Sequence, residues 1–362
     1  MNQKVLFYLT VLSLLLMSCN VESNEQEIEV TENPTDMFET KIELTHEEVE
    51  LTGIELGGPE QLLVMDSLLV IRDQFEVNEE TYFYALVNRH SGVGYQIFGR
   101  EGRGPDEFLD FNYMFRTSSN TISINERRLF AVNEVSIDSI LVDASAFTVS
   151  TTDELNTGYS LISKIGDDRI FGTGMFTDGR FALSDTSGEL INTFLNYPFE
   201  DEFDGISTRD LGMAYQSNFS FHPTKPLVAV ANFTAGNLDI LRVENDSIEE
   251  VSQIYSHQPK FENQSSETQI SVMFDADNKM GYWDNDVTEE YIYALYSGRE
   301  RTDPNQSTGN KVLVFDWEGN PIEQLNLDVE VSGITVDQNN ETLYAIANDD
   351  NNEAFIATFS LD

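Results

Sequence analysis

Apolar residues follow two patterns along most of the chain. They alternate with polar ones, or they form short runs rich in Val, Ile, Phe and Tyr that end at Asp, Asn, Gly or Ser. Leu62-Leu63-Val64-Met65-Asp66-Ser67-Leu68-Leu69-Val70-Ile71 and Lys311-Val312-Leu313-Val314-Phe315-Asp316 are examples. Alternation places apolar side chains on one face of a pleated strand, and a short continuous run bounded by turn residues fits a strand covered on both faces. No long capped amphipathic helix stands out, although Thr208 to Tyr215 has room for a short one. The pattern predicts an all-β chain.

The strands recur as a unit. One copy runs Asp168-Arg169-Ile170-Phe171-Gly172, then Gly179 to Asp185, a turn at Thr186-Ser187-Gly188, and Glu189-Leu190-Ile191-Asn192-Thr193-Phe194. Its last hairpin returns around the turns Arg89-His90-Ser91-Gly92 and Trp317-Glu318-Gly319-Asn320. Turn centres fall near 90, 138, 187, 245 and 318, and a sixth strand pair occupies 343 to 361. A unit of four strands leaves an apolar face that only a neighbouring unit covers, so a repeat at this period implies a ring or an array. The expectation is a six-bladed β-propeller of four-stranded antiparallel blades over residues 41–362, with seven blades as the alternative. A strand from 41–56 should close the ring beside the last C-terminal strands.

The N-terminus carries different information. Lys4 precedes an apolar run from Val5 to Leu16, followed by Met17-Ser18-Cys19. The run is the length of a signal-peptide core and short of the ~20 residues a membrane-spanning helix needs. A small residue before cysteine resembles the lipobox of bacterial lipoproteins. That resemblance implies a signal peptide over 1–18 and a lipid-bearing Cys19 as first mature residue. The following residues, to position 40, hold seven acids and no basic residue through Glu39. Too little apolar surface is present there to order a segment, so 19–40 is expected to be a flexible acidic tether. Acids just after a lipidated cysteine also resemble a surface-export signal of the Bacteroidota.

Composition narrows the classes of function. The 362 residues include 64 Asp and Glu against 20 Lys and Arg, a net charge of −44. Neutralising nucleic-acid phosphates needs a Lys/Arg face, so nucleic acid is excluded as a partner, and so is charge-driven binding to anionic lipid. The acids are spread over the whole chain, which points to solubility in salty surroundings. Cys19 is the only cysteine, which excludes an intramolecular disulfide and thiol catalysis in the domain. Hydrophobic residues make up 40%, with 24 Phe and 14 Tyr, enough for a core without staples.

The most distinctive string is Gly99-Arg100-Glu101-Gly102-Arg103-Gly104-Pro105-Asp106-Glu107-Phe108. It resembles the corresponding segment of the TolB-like six-bladed propeller lipoproteins of Bacteroidota. Phe219-Ser220-Phe221-His222-Pro223, followed by Leu227 to Ala231, is similar to that family as well. The resemblance implies fold and location rather than an activity. Physically, the glycines permit positive φ and close backbone approach, and Pro105 stiffens the exit. Two readings stay open. The segment is an inter-blade connector locked by Arg–carboxylate pairs, or an anion-binding loop using Arg100, Arg103 and the N–H groups of Gly102 and Gly104.

Candidate chemistry is sparse. His46, His90, His222 and His257 form no metal-ligand spacing, and no nucleophile elbow or phosphate loop is present. His222 is the best candidate for a residue facing the central funnel, against a plain role in the turn before Pro223. Asp275-Ala276-Asp277-Asn278-Lys279 opens like a calcium loop, but Lys279 and Met280 stand where an oxygen ligand and glycine belong. A looser Ca2+ site would use Asp284, Asp286 and Glu289. Tyr282, Trp283, Tyr291, Tyr293 and Tyr296 precede a polar insertion at 297–310, expected to protrude on one face; they are core by alternation, or a stacking surface for sugar or peptide. The leading expectation is a non-enzymatic, monomeric binding or scaffold domain. It would be lipid-anchored to the outer membrane, on its periplasmic side or at the cell surface, with a protein or glycan partner. The alternative is a metal-dependent hydrolase or lyase with acids and His222 around the channel.

Overall fold

The computed structural model describes residues 31 and 33–362, apart from 111, 127, 130, 148–157, 167 and 267. Cys19 and the proposed signal peptide lie outside the described residues. After β1 (Lys41–Leu44) and β2 (Glu47–Glu48), the chain builds six blades in order around an axis. Blade one is β3 (Gln61–Met65), β4 (Leu68–Val77), β5 (Glu80–Asn88) and β6 (Gly94–Glu101), with β7 (Glu107–Phe108) added in parallel to β6. Blade two shows β8 (Tyr113–Arg116), β9 (Thr121–Glu126) and β10 (Ala131–Ser136) among the described residues, followed by α1 (Ile137–Val142). Blade three is β11 (Tyr159–Ile165), β12 (Arg169–Gly174), β13 (Phe181–Asp185) and β14 (Leu190–Phe194). The helix α2 (Thr208–Ala214) leads to blade four: β15 (Ser217–Phe221), β16 (Leu227–Asn232), β17 (Asn237–Glu244) and β18 (Ser247–Tyr255). A small hairpin, β19 (Phe261–Asn263) and β20 (Val272–Phe274), precedes blade five: β21 (Tyr282–Val287), β22 (Tyr291–Tyr296), β23 (Gly309–Asp316) and the first half of β24 (Pro321–Val336). The second half of β24 begins blade six, with β25 (Thr342–Asn348) and β26 (Ala354–Ser360).

Strand position explains the two sequence patterns. The inner strand β3 is buried at all five residues because other blades cover both of its faces. The outer strand β14 is half-buried at best. Each blade–blade junction has its own apolar cluster. Phe83, Phe98 and Phe108 fill the first, and Phe171, Phe181 and Phe219 the third. The junction of blades two and three is thinnest, with Ile162 and Ile170 as its buried pair. The turns near 90, 187, 245 and 318 are all hairpins between the third and fourth strands of a blade, as the repeat predicts. At Asn245-Asp246 both residues take positive φ, 50° and 62°, the conformation of a tight two-residue hairpin.

The pair at 343–361 supplies the second and third strands of blade six. Two expectations need correction. Position 138 lies in α1 rather than in a turn, because Ser136 leads into Ile137 and Ile140, which pack into the first junction. The described part of the 19–40 segment is not a solvated tether. Asn33 caps the 3-10 turn Pro34–Met37, and Phe38 is buried edge-on against Phe315 at 5.2 Å. One aromatic in an acidic stretch is enough to dock it. From there β1 pairs in parallel with β24, and β2 pairs with β26 as the fourth strand of blade six, closing the ring as expected from 41–56.

Candidate functional site

Inner strands have an open edge at the axis, and their backbone groups need partners. Polar side chains from neighbouring blades supply them. The Gln61 carboxamide pairs with Met114 like a strand residue: Nε2 donates to its carbonyl at 2.7 Å, and Oε1 accepts from its N–H at 2.8 Å. Asn218 Nδ2 donates to the Trp283 carbonyl at 2.8 Å, and Ser220 Oγ to that of Asn285 at 3.0 Å. Asp284 accepts from the Ile334 N–H at 2.9 Å, and Asp286 from the Val336 N–H at 2.9 Å and Thr335 Oγ1 at 2.6 Å. Thr335 Oγ1 then accepts from the Val64 N–H at 3.0 Å, joining blade six to blade one.

Two contacts cross the axis from blade two to blade five. Arg116 Nη2 donates to both oxygens of Asp286, at 2.5 and 2.6 Å. Tyr113 bonds to Asp284, and burial with that carboxylate as neighbour pushes its hydroxyl well above the ordinary range. Asp284 is itself pushed up to about 7, first by burial and further by Asp286 beside it. Together with Asn218, these residues form a waist. On one side, towards the short turns 117–120, 222–226 and 288–290, lies a cavity of ≈ 450 Å³ walled by Phe115, Phe219, Phe221 and Ile334. Phe115 and Phe219 stack there at 4.4 Å. On the other side a cavity of ≈ 300 Å³, containing Arg72 and Trp283, opens towards the long connections.

Sequence reasoning picked out Asp284 and Asp286, and the structure brings them to the axis. His222 and Glu289 border the same ≈ 450 Å³ cavity, but among the described residues they form no metal-holding group with the two acids. Glu289 is exposed in the turn after β21. His222 lies at the rim, where Nδ1 accepts the N–H groups of Thr224 and Lys225, both at 3.0 Å, and the ring packs on Trp317 at 4.8 Å. Burial holds its pKa down. It is the turn residue before Pro223. Among the described residues no group of three or more His, Cys, Asp and Glu is placed to hold a metal. The Ca2+ expectation at Asp284, Asp286 and Glu289 is therefore not supported: Asp286 is neutralised by Arg116, and Glu289, exposed at the mouth of the cavity, forms no ligand group with the two acids.

In the glycine-rich loop the Arg–carboxylate pairs form around Arg100. Arg100 donates to Glu80 at 2.8 Å and also pairs with Glu107. Glu107 Oε2 accepts from the Gly104 N–H at 2.6 Å, and this bond, with Arg100 and the Arg103 N–H, holds its carboxyl below the usual range. A Cβ on Gly102 would sit 1.9 Å from Glu107 Oε2, so the carboxylate fits only over glycine. The loop does bind an anion, its own Glu107, while the Arg103 side chain lies exposed. Of the tyrosines before the insertion, Tyr282, Tyr293 and Tyr296 are buried core. The insertion is pinned by Arg299, which bonds the carbonyls of Asn305 and Thr308 and the Glu330 carboxylate.

Tyr113, Arg116 and a second buried pair, Arg180–Asp239, were not visible in the sequence. Their partners lie 59 to 171 residues away, and the one available signal was arginine inside or beside apolar strands of an arginine-poor chain.

Six antiparallel blades joined at their edges and closed by an N-terminal strand define a β-propeller. The chain belongs to the TolB-like 6-blade propeller-like family, whose description fits residues 42–339. It is similar to a Bacteroides fragilis protein named "Putative exported protein", with 15% identity, 91% of this chain and 97% of that one covered, and a TM-score of 0.53. The WD40 repeats of RRP9 (7% identity, 88% and 97% covered, TM-score 0.45) and Chaetomium thermophilum Raptor (9%, 90% and 29%, 0.45) are more distant. Likeness at such identities speaks for fold alone. No curated protein matches the chain. No helix among the described residues is long and apolar enough to cross a membrane.

Proposed function

We propose that the chain is an exported, lipid-anchored propeller that acts as a binding or scaffold protein at the cell envelope, held through Cys19 to the outer membrane. One observation carries the binding reading. The acids at the axis are spent on holding blades together, which leaves the cavities and long connections of a rigid disc for recognition rather than a catalytic centre. The Bacteroides fragilis neighbour supports export. The Thr31 N–H donates to the Tyr255 carbonyl, so twelve residue steps separate a lipid on Cys19 from blade four, a length of chain of at most about 40 Å. The domain then works close to the membrane, with the outer edge of blade four nearest the anchor.

The test is acyl labelling in cells. The wild-type chain should incorporate labelled palmitate and fractionate with the outer membrane, and Cys19→Ala should do neither. Unlabelled wild-type protein would sink the anchor. Cross-linking on intact cells should then capture an envelope protein or glycan, and failure to capture any would remove the scaffold reading. Metal-dependent hydrolysis draws no support, because His222 and Glu289 border the axial cavity without forming a metal-holding group with its acids among the described residues.

A further inference from the structure

A third cavity lies between blades three and four and beneath α2, bordered on its inner side by Tyr113 and Asn218 of the waist, and its volume is ≈ 290 Å³. Its floor is a buried ion pair. Arg180, 5% exposed, donates from Nη2 to Asp239, 2% exposed, at 3.0 Å. The Asp239 carboxylate also accepts from Asn237 Nδ2 at 3.0 Å and from Gln253. The guanidinium lies over the Phe181 ring at 4.6 Å, so its cation is compensated twice. The floor is therefore polar but electrically neutral.

Two atoms on this floor lack a hydrogen-bond partner among the described residues: Arg180 Nε, a donor, and Asn237 Oδ1, an acceptor. The Asn237 orientation follows from its Nδ2 bond to Asp239. A buried polar atom without a partner is costly, so an unpartnered donor and an unpartnered acceptor on two residues that line one cavity point to something that supplies both. Above them stand Tyr197 and Tyr215, rings 5.3 Å apart, and Gln216, whose Nε2 is tied to the Met213 carbonyl.

We infer that this cavity binds one neutral sugar ring. A hydroxyl both donates and accepts, which matches Arg180 Nε with Asn237 Oδ1. The apolar face of a pyranose suits a tyrosine wall. A charged ligand does not fit: Arg180 is already neutralised by Asp239, and a chain of net charge −44 repels anions. The volume accommodates a monosaccharide or the end unit of a glycan, not a peptide of several residues. The inference rests on the binding reading above and gives it a ligand class.

The experiment uses the purified mature chain in a detergent without a sugar headgroup, titrated with glucose, galactose, N-acetylglucosamine and rhamnose, with ligand-observed NMR as readout. Galactosamine, glucuronate and a tripeptide serve as charged and peptide controls. At least one neutral sugar should bind. Met213→Trp, which fills the cavity from α2 without touching the ion pair, should abolish that binding while melting remains cooperative. Asn237→Ala should weaken it about tenfold or more. Binding unaffected by Met213→Trp, or binding confined to the controls, would overturn the inference, and so would no binding by any neutral sugar. Acyl labelling at Cys19 is independent of this readout, so failure here leaves the anchored scaffold standing.

Discussion

Arg116 and Asp286 stand on blades three apart in a ring of six, and one guanidinium nitrogen of the first reaches both carboxylate oxygens of the second across the axis. Both side chains are nearly excluded from solvent, at 12% and 6% exposure. The pair holds opposite sides of the disc at a fixed distance, and Asp286 passes the restraint to blade six through Thr335 and Val336. Removing one partner strands a buried charge, which costs about 3–5 kcal/mol. Arg116→Met should lower stability by that amount in urea denaturation, and Arg116→Met with Asp286→Asn should recover a large part of it. Single and double variants equally unstable would show that packing, not charge, is what Arg116 provides.

Asp284 makes stability depend on pH near neutrality. Folded, its carboxyl holds a proton up to about pH 7; unfolded, it releases it near the ordinary value of 3.8. Between those limits the folded state binds the extra proton, so stability falls as pH rises from about 4 to about 7 and is flat on either side from this group. The groups around it are Asp286, Arg72 and Tyr113. Asp284→Asn removes the titration and keeps an acceptor for the Ile334 N–H. Relative to wild type it should gain up to about 4 kcal/mol between pH 4 and pH 7. Parallel pH profiles for the two proteins would mean that Asp284 ionises freely.

Hydrophobic patterning made the fold readable because the blades repeat one requirement: a largely buried third strand beside a half-exposed fourth, as in β5 and β6, β13 and β14, and β17 and β18. The turn Asn245-Asp246 and the short helix at Thr208, with Ser207 and Asp210 capping each other, carry local signals that need no knowledge of the rest. The axis was legible only as residue types. Asp284 and Asp286 on one strand face look like metal ligands until Arg116, 170 positions away, is seen to occupy Asp286, and Tyr113 to bond Asp284. Phe38 docks through Phe315, again a contact without a sequence-local trace.

The glycine-rich loop offers a test of its internal anion. Glu107 fills the nest made by the N–H groups of Gly104 and Arg103, so free anions should not compete in the wild type. Glu107→Ala opens the nest and leaves Arg100 beside it. Sulfate should then raise the melting temperature of this variant more than that of wild type at equal ionic strength. Gly102→Ala, whose Cβ displaces the carboxylate, should lower the melting temperature. Equal sulfate responses in wild type and Glu107→Ala would return the loop to the class of open anion sites.

The N-terminal segment is a strap around four blades, and its parts should fail in order. Thr31 bonds to Tyr255 of blade four, β1 extends blade five, β2 completes blade six, and Thr52 exchanges hydrogen bonds with Gly92 and Gly94 of blade one. Gly92 permits this crossing, since a Cβ there would meet the Glu50 carbonyl oxygen at 2.0 Å. Phe38→Ala should cost about 3–5 kcal/mol while the ring stays closed, because the lost contact is packing in the cluster between blades four and five and the pairing of β2 with β26 is untouched. A chain starting at residue 41 should lose similar stability and remain monomeric by size exclusion. A chain starting at residue 50 lacks β2, exposes the edge of β26 and leaves blade six with three strands. Exposed strand edges pair with other chains, so this version should aggregate or melt in two steps. If it melts in one step at the temperature of the residue-41 chain, the strap is not what closes the ring.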